Sequence, residues 1–174
     1  MNLIYTHRSG GQLWQGDKGD VKELLRHPSD RIALIGLFAQ EIQPSDPNGH
    51  YELLKGGFND NEAAGEDELK KVAAVADSAS DKFASALREG KGCLSSCHMG
   101  LNRSGLVTAL TLMKAGGLRP REAINLIRMT RSPQQGMQAL CNRKFVELIH
   151  RMSPVIGSKS AWTKWDRESP KAHR

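Results

Sequence analysis

The chain has 174 residues, 39% of them apolar and 25% charged, enough for one domain with a sizeable core. No apolar run is long enough to cross a bilayer, and the start, MNLIYTHRSGG, lacks the apolar stretch and cleavage site of a secretory signal, so a cytoplasmic protein with no membrane partner is expected. The net charge of +6 is uneven: residues 40–99 carry six Lys/Arg against eleven Asp/Glu, and residues 100–174 carry fourteen against four, which suits an anionic ligand in the second half.

In chain order, Leu3–Tyr5 and Gln12–Trp14 read as two short strands around a Ser9-Gly10-Gly11 turn. Val21–Arg26 reads as a short helix ended by Pro28. The run RIALIGLF, Arg31–Phe38, has the length and continuous apolarity of a strand buried on both faces. QPSDPNGH (43–50) is a turn-rich loop, Tyr51–Leu54 a further strand and GGFNDNEAAG (56–65) a loop. From Glu66 to Leu87, Leu69, Val72, Ala73, Ala76, Ser80, Phe83 and Leu87 recur at helical steps, and Gly90-Lys91-Gly92 ends that helix. Cys93–Ser96 is the next strand. Helices come next over about 104–115, 120–129 and 137–152, with Pro120 in a first turn that tolerates it. Met113, Met129 and Met152 fit helix core positions. Strands alternating with helices, then helices alone, predict an α/β layer fold with a central sheet. The domain is expected to cover residues 1–156. The basic tail 157–174, with Trp162 and Trp165, reads as a loosely packed terminus, although its charge and stacking would also suit nucleic acid.

The segment SSCHMGLNRSG, Ser95–Gly105, joins the last predicted strand to the next helix. Gly100 and Gly105 allow tight turns and close approach of a ligand. A loop entering a helix N-terminus turns backbone N–H groups inward, where the helix dipole adds positive charge, and so forms an anion nest. Arg103 supplies a planar fork able to hold two phosphate oxygens. This surrounding favours the thiolate of Cys97, which could attack the phosphorus of a bound ester, with Ser104 hydrogen-bonding the sulfur and helping it leave. The alternative is a buried structural thiol beside a chance arginine.

The pattern Cys-x5-Arg-Ser, with Gly at the third position after Cys, resembles the cysteine-based protein tyrosine phosphatase superfamily, and its small dual-specificity branch in particular. Cys97, His98, Gly100, Asn102, Arg103, Ser104 and Gly105 carry the resemblance. It implies a central, largely parallel sheet flanked by helices and a two-step hydrolysis through a phosphocysteine without metal or other cofactor. It also implies a phosphate-binding loop of His98, Met99, Gly100, Leu101, Asn102 and Arg103. The family's general acid is an Asp on a loop some thirty-odd residues before the nucleophile. Asp60, two residues after Phe58, matches its variant acid loops, while the usual Trp-Pro-Asp triplet is absent. Asp46, Glu62 and Asp67 are weaker alternatives, Asp67 lying in a first helical turn where a carboxylate is favourable anyway. Asp60 would protonate the leaving oxygen and later activate water. Gln134 or Gln135 could orient that water, or form a surface turn. Asn142 and Phe145 match the family's closing element. Ser96 stands where the family commonly has His. His98 either adds polarity to the loop or faces solvent.

Two cysteines and one adjacent His make weak zinc ligands. Cys93 and Cys97, four residues apart on a strand, lie about 13 Å apart, too far for a disulfide. Three cysteines in all suggest no disulfide framework, and Cys141 could protect Cys97 only if the fold brings them together. The expected substrate is a phosphorylated protein or peptide, phosphotyrosine foremost, with phosphoserine and phosphothreonine as further candidates. An RNA 5′ phosphate or an inositol phosphate is the alternative; the loop lacks the lysine common in phosphoinositide-directed relatives. A phosphate-binding module without turnover ranks last, because such relatives lose the Cys, the Arg or the Asp.

Overall fold

The computed structural model describes residues 1–41, 44–131 and 136–153. Five strands form one sheet: β1 (Asn2–Thr6), β2 (Gln12–Gly16), β3 (Leu34–Leu37), β4 (Glu52–Lys55) and β5 (Cys93–Ser96), in the order β1-β2-β5-β3-β4. Only β1 against β2 is antiparallel; β2–β5, β5–β3 and β3–β4 are parallel, as expected of strands joined by helical or long crossovers. Residues of β3 and β5 are all buried, which explains why their sequences are short apolar or small-residue runs rather than alternations. β3 is shorter than the run Arg31–Phe38 suggests. Ala33 N and Leu34 N both donate to Gly92 O before the ladder begins, at 2.8 and 3.2 Å. That crossing needs Gly92, because a Cβ there would lie 1.6 Å from Arg31 O.

The helices are α1 (Lys18–Arg26), α2 (Glu66–Arg88), α3 (Arg103–Gly116), α4 (Pro120–Thr130) and α5 (Arg143–Met152). All seven periodic residues from Leu69 to Leu87 are buried on α2. The main core lies between α2, α3, α4, α5 and the sheet. A smaller apolar cluster, including Val21, Leu24, Ile35, Tyr51 and Leu94, is formed between α1 and the sheet. Phe58 packs against Phe38 and Phe145, with ring centroids 6.1 and 5.9 Å apart, so the loop after β4 is fastened to the core two residues before Asp60.

Two expectations are corrected. The last helix starts at Arg143, not 137. Leu140 takes a left-handed φ of 56°, and the Asn142 side chain caps α5 by accepting from Lys144 N and Phe145 N. Met113 and Met152 are core residues, but Met129 is 86% exposed, because α4 turns Ala123, Ile124 and Ile127 inward instead.

Candidate active site

β2, β3 and β5 run parallel in matched register, so Gly16, Leu37 and Ser96 end at one level of the sheet. Three segments leaving these strands meet there: the Asp17–Lys18 start of α1, the stretch carrying Glu41, and the loop 97–102. Ligands gather outside the carboxyl ends of the strands in such sheets.

The loop from Cys97 to Asn102 is held from outside by its carbonyls. His98 O accepts from Lys18 N at 3.4 Å, Leu101 O from Leu140 N at 3.3 Å and Asn102 O from Leu106 N at 2.8 Å. Met99 O accepts from Arg131 Nη2 at 3.4 Å. Gly100 O accepts from Gln15 Nε2 at 2.8 Å and from Arg131 Nε at 3.2 Å. A trans peptide points its N–H opposite to its C=O. Five successive carbonyls facing outward therefore turn the amides of residues 99–103 to the inner side. Among the described residues nothing accepts from those five amides. A row of inward amides of this kind is what an anion nest requires. Gly100, at φ 67°, sits so close to the end of β2 that a Cβ would lie 2.5 Å from Gly16 O.

Cys97 is buried at the end of β5, its Sγ 3.3 Å from Ser104 Oγ in the first turn of α3. Ser96 is also buried and spends its hydroxyl on Asp17 O at 3.1 Å, tying the loop to the start of α1. Arg103 opens α3. Its Nη1 donates to Phe58 O at 3.4 Å and its Nη2 to Glu41 Oε1 at 3.3 Å, while its buried Nε has no partner among the described residues. His98 lies at the exposed rim, Nδ1 3.1 Å from Glu41 Oε1 and Nε2 3.1 Å from Lys18 Nζ. Hydrogen bonding to its own backbone, then to Arg103 and His98, holds the Glu41 carboxyl below its usual value. Met99 is half-buried, and Leu101 sends its side chain into the core, so only its backbone is offered to a ligand.

Asp60 is brought to the same place. Its Oδ2 accepts from Asn102 Nδ2 at 3.0 Å and its Oδ1 from Asn142 Nδ2 at 2.7 Å. The three weaker acid candidates have other work. Asp46 accepts from Asn48 N and Tyr51 N, Glu62 accepts from Arg143 N, and Asp67 lies in the first turn of α2. Cys141 is exposed and in hydrogen-bonding contact with Asn102, 3.4 Å from its side-chain oxygen. Gln134, Gln135 and the tail 157–174 lie outside the described residues.

The roles of four contributors were not apparent from the sequence. Gln15 and Arg131 hold the loop carbonyls, Glu41 pairs with Arg103, and Asn142, a pattern match only, holds Asp60. Gln15, Glu41 and Arg131 stand in no local pattern that marks them and reach the site through folding; Asn142 is marked only by its match to the closing element.

No family model matches the sequence, and no curated protein matches it. Solved structures do. Human DUSP28 superposes with a TM-score of 0.68 at 18% identity, covering 92% of this chain and 100% of its own. Tk-PTP gives 0.60 at 22% identity, covering 88% and 95%. OH1 from the Orf virus, described as a tyrosine phosphatase with triple substrate specificity, gives 0.63 at 18%, covering 87% and 85%. With its mostly parallel five-stranded sheet and loop-to-helix cradle after β5, the chain has the dual-specificity fold of the cysteine-based protein tyrosine phosphatase superfamily.

Proposed function

We propose that the chain is a metal-independent phosphatase that hydrolyses phosphotyrosine in proteins or peptides, with phosphoserine and phosphothreonine as further substrates, through a phosphocysteine at Cys97. The observation that carries this reading is the set of five amides without a partner among the described residues, beside a buried thiol, with Arg103 at the far end of the same loop. In the first step Cys97 Sγ forms a bond to phosphorus while the phosphorus–oxygen bond to the leaving group breaks. The phosphoryl oxygens are held by amides 99–103 and by Arg103. Asp60 gives its proton to the leaving oxygen, exchanging one of its two amide partners for it. In the second step Asp60 takes a proton from water, the water oxygen bonds to phosphorus, and the sulfur leaves with Ser104 Oγ as its hydrogen-bond partner. In this reading residues 1–156 form the catalytic unit and 157–174 a basic extension. Among the described residues no helix is long and apolar enough to cross a membrane.

The test is hydrolysis of a generic aryl phosphate in the presence of chelator. Wild type is expected to turn over and Cys97→Ser to fall to background. Asp60→Ala is expected to slow esters with poor leaving groups by about 10²–10⁴-fold, and those with good leaving groups far less. Activity retained by Cys97→Ser removes the mechanism. Equal slowing of both ester classes removes Asp60 as the acid. A panel of phosphopeptides, 5′-phosphorylated RNA and inositol phosphates, ranked by kcat/KM, decides the substrate class.

A further inference from the structure

Arg131 is 3% exposed, comes directly after α4, and lies 28 residues beyond the helix-opening Arg103. A buried guanidinium is costly unless its donors and its charge are matched. Here they are matched largely by the loop. Nε reaches Gly100 O at 3.2 Å and Nη2 reaches Met99 O at 3.4 Å; Nη1 donates to Asn2 Oδ1 at 2.6 Å, and Asp17 Oδ2 lies 3.7 Å from Nη2 as counter-charge. The two carbonyls belong to the peptide units whose N–H groups are those of Gly100 and Leu101. A cation on the oxygen side of a peptide fixes its direction and polarises it, leaving more positive charge on the hydrogen opposite.

We propose that Arg131 is a positioning residue of the phosphate nest: by gripping Met99 O and Gly100 O from behind, it keeps the Gly100 and Leu101 amides aimed at the bound phosphoryl group. The inference rests on the reading of Cys97–Arg103 as a phosphate loop and adds to it a residue outside that loop. Gln15 shares the task at Gly100 O only. A lysine at 131 could point one ammonium at one carbonyl but could not span both and Asn2 with a rigid fork.

The experiment compares wild type, Arg131→Lys, Arg131→Met, Gln15→Met and the Gln15→Met/Arg131→Lys double variant, each with a thermal melt. The readouts are the inhibition constant of inorganic phosphate, KM and kcat on an aryl phosphate with a good leaving group. Both Arg131 variants, folded at the assay temperature, are expected to bind phosphate at least about tenfold more weakly and to raise KM more than they lower kcat, with Lys less affected than Met. Gln15→Met is expected to show a smaller loss of the same sign, less than additive with Arg131→Lys. Folded Arg131 variants that bind phosphate within twofold of wild type overturn the proposal. Wild type that binds no phosphate overturns the phosphate-loop reading along with it. Should neither Arg131 variant fold, the wild type decides by NMR. The Arg131 Nε proton is expected to resist exchange and to gain protection on adding phosphate, as the Gly100 and Leu101 amides shift. An Nε proton that exchanges freely, or ignores phosphate, overturns the assignment.

Discussion

Glu41 occupies the guanidinium to which the proposed function assigns the phosphate ester. Its Oε1 accepts from Arg103 Nη2 at 3.3 Å and lies 3.1 Å from His98 Nδ1, on a half-exposed side chain. On that reading, a dianion entering the nest would compete with this carboxylate for Arg103. An exposed ion pair is worth about 0.2–1 kcal/mol, so Glu41→Gln is expected to tighten inorganic phosphate by up to about fivefold. Because its carboxyl is held below the ordinary value of 4.5, by its own backbone first and then by Arg103 and His98, Glu41 stays ionised from pH 5 upward. Ionisation of Glu41 itself is therefore expected to add no pH dependence to the ratio of variant to wild-type affinity between pH 6 and 8. A Glu41→Gln variant that binds phosphate more weakly would make the pair supportive rather than competitive. At this scale the sequence was legible where chemistry is contiguous: Cys97, Arg103 and Ser104 share one segment, and Asp60 sits in a loop whose position between strand and helix could be read. Arg131 was not legible. It is one of fourteen basic residues after position 99, and its partners Asn2, Asp17 and Met99 lie 32 to 129 residues away.

At the scale of elements, α5 joins stability to the site through one side chain. Asn142 Oδ1 caps the helix by accepting from Lys144 N at 2.9 Å and Phe145 N at 3.3 Å, and Nδ2 donates to Asp60. The two roles separate by substitution. Serine can still cap but cannot hold Asp60 with an amide, whereas alanine does neither, at a cost of about 1 kcal/mol in capping. Asn142→Ser is therefore expected to melt above Asn142→Ala, while both slow esters with poor leaving groups to a similar degree. Equal melting of the two would deny the cap; unchanged rates would deny the hold on Asp60. The predicted helix start at 137 failed for a related reason. Helical spacing continues through Met137–Cys141, but Leu140 N is turned to Leu101 O and Arg128 Nη2 holds Leu140 O at 2.8 Å, so this stretch serves the loop instead of the helix. Helices α2, α3 and α4 were legible nearly to their ends, because each buries one periodic or wholly apolar stretch.

For the whole molecule, the sheet's centre sets how stability depends on pH. Cys93 on β5 is fully buried, and its thiol is pushed up from 9.0 to about 12, by burial first and then by Glu52, against a small opposing pull from Lys91. Well below pH 9 the thiol is protonated in both folded and unfolded chains and adds no pH dependence. Above pH 9 the unfolded chain ionises while the folded one resists, so stability falls as pH rises toward 12. Denaturant melts of wild type and Cys93→Ala between pH 8 and 10.5 are expected to converge as pH rises, because the variant lacks this loss. Parallel curves would show that Cys93 contributes none of the slope.

The common level at which Gly16, Leu37 and Ser96 finish has a practical reach. It makes that rim of the sheet a shelf onto which segments of different length can be grafted without disturbing the strands beneath. On the proposed reading of Cys97 as nucleophile, the described segment after β4, which carries Asp60, borders the path by which an ester would reach it. On that reading, exchanging the segment after β4 between chains of this architecture is expected to change the preference among aryl and alkyl phosphate esters while the melting temperature stays close to that of the parent.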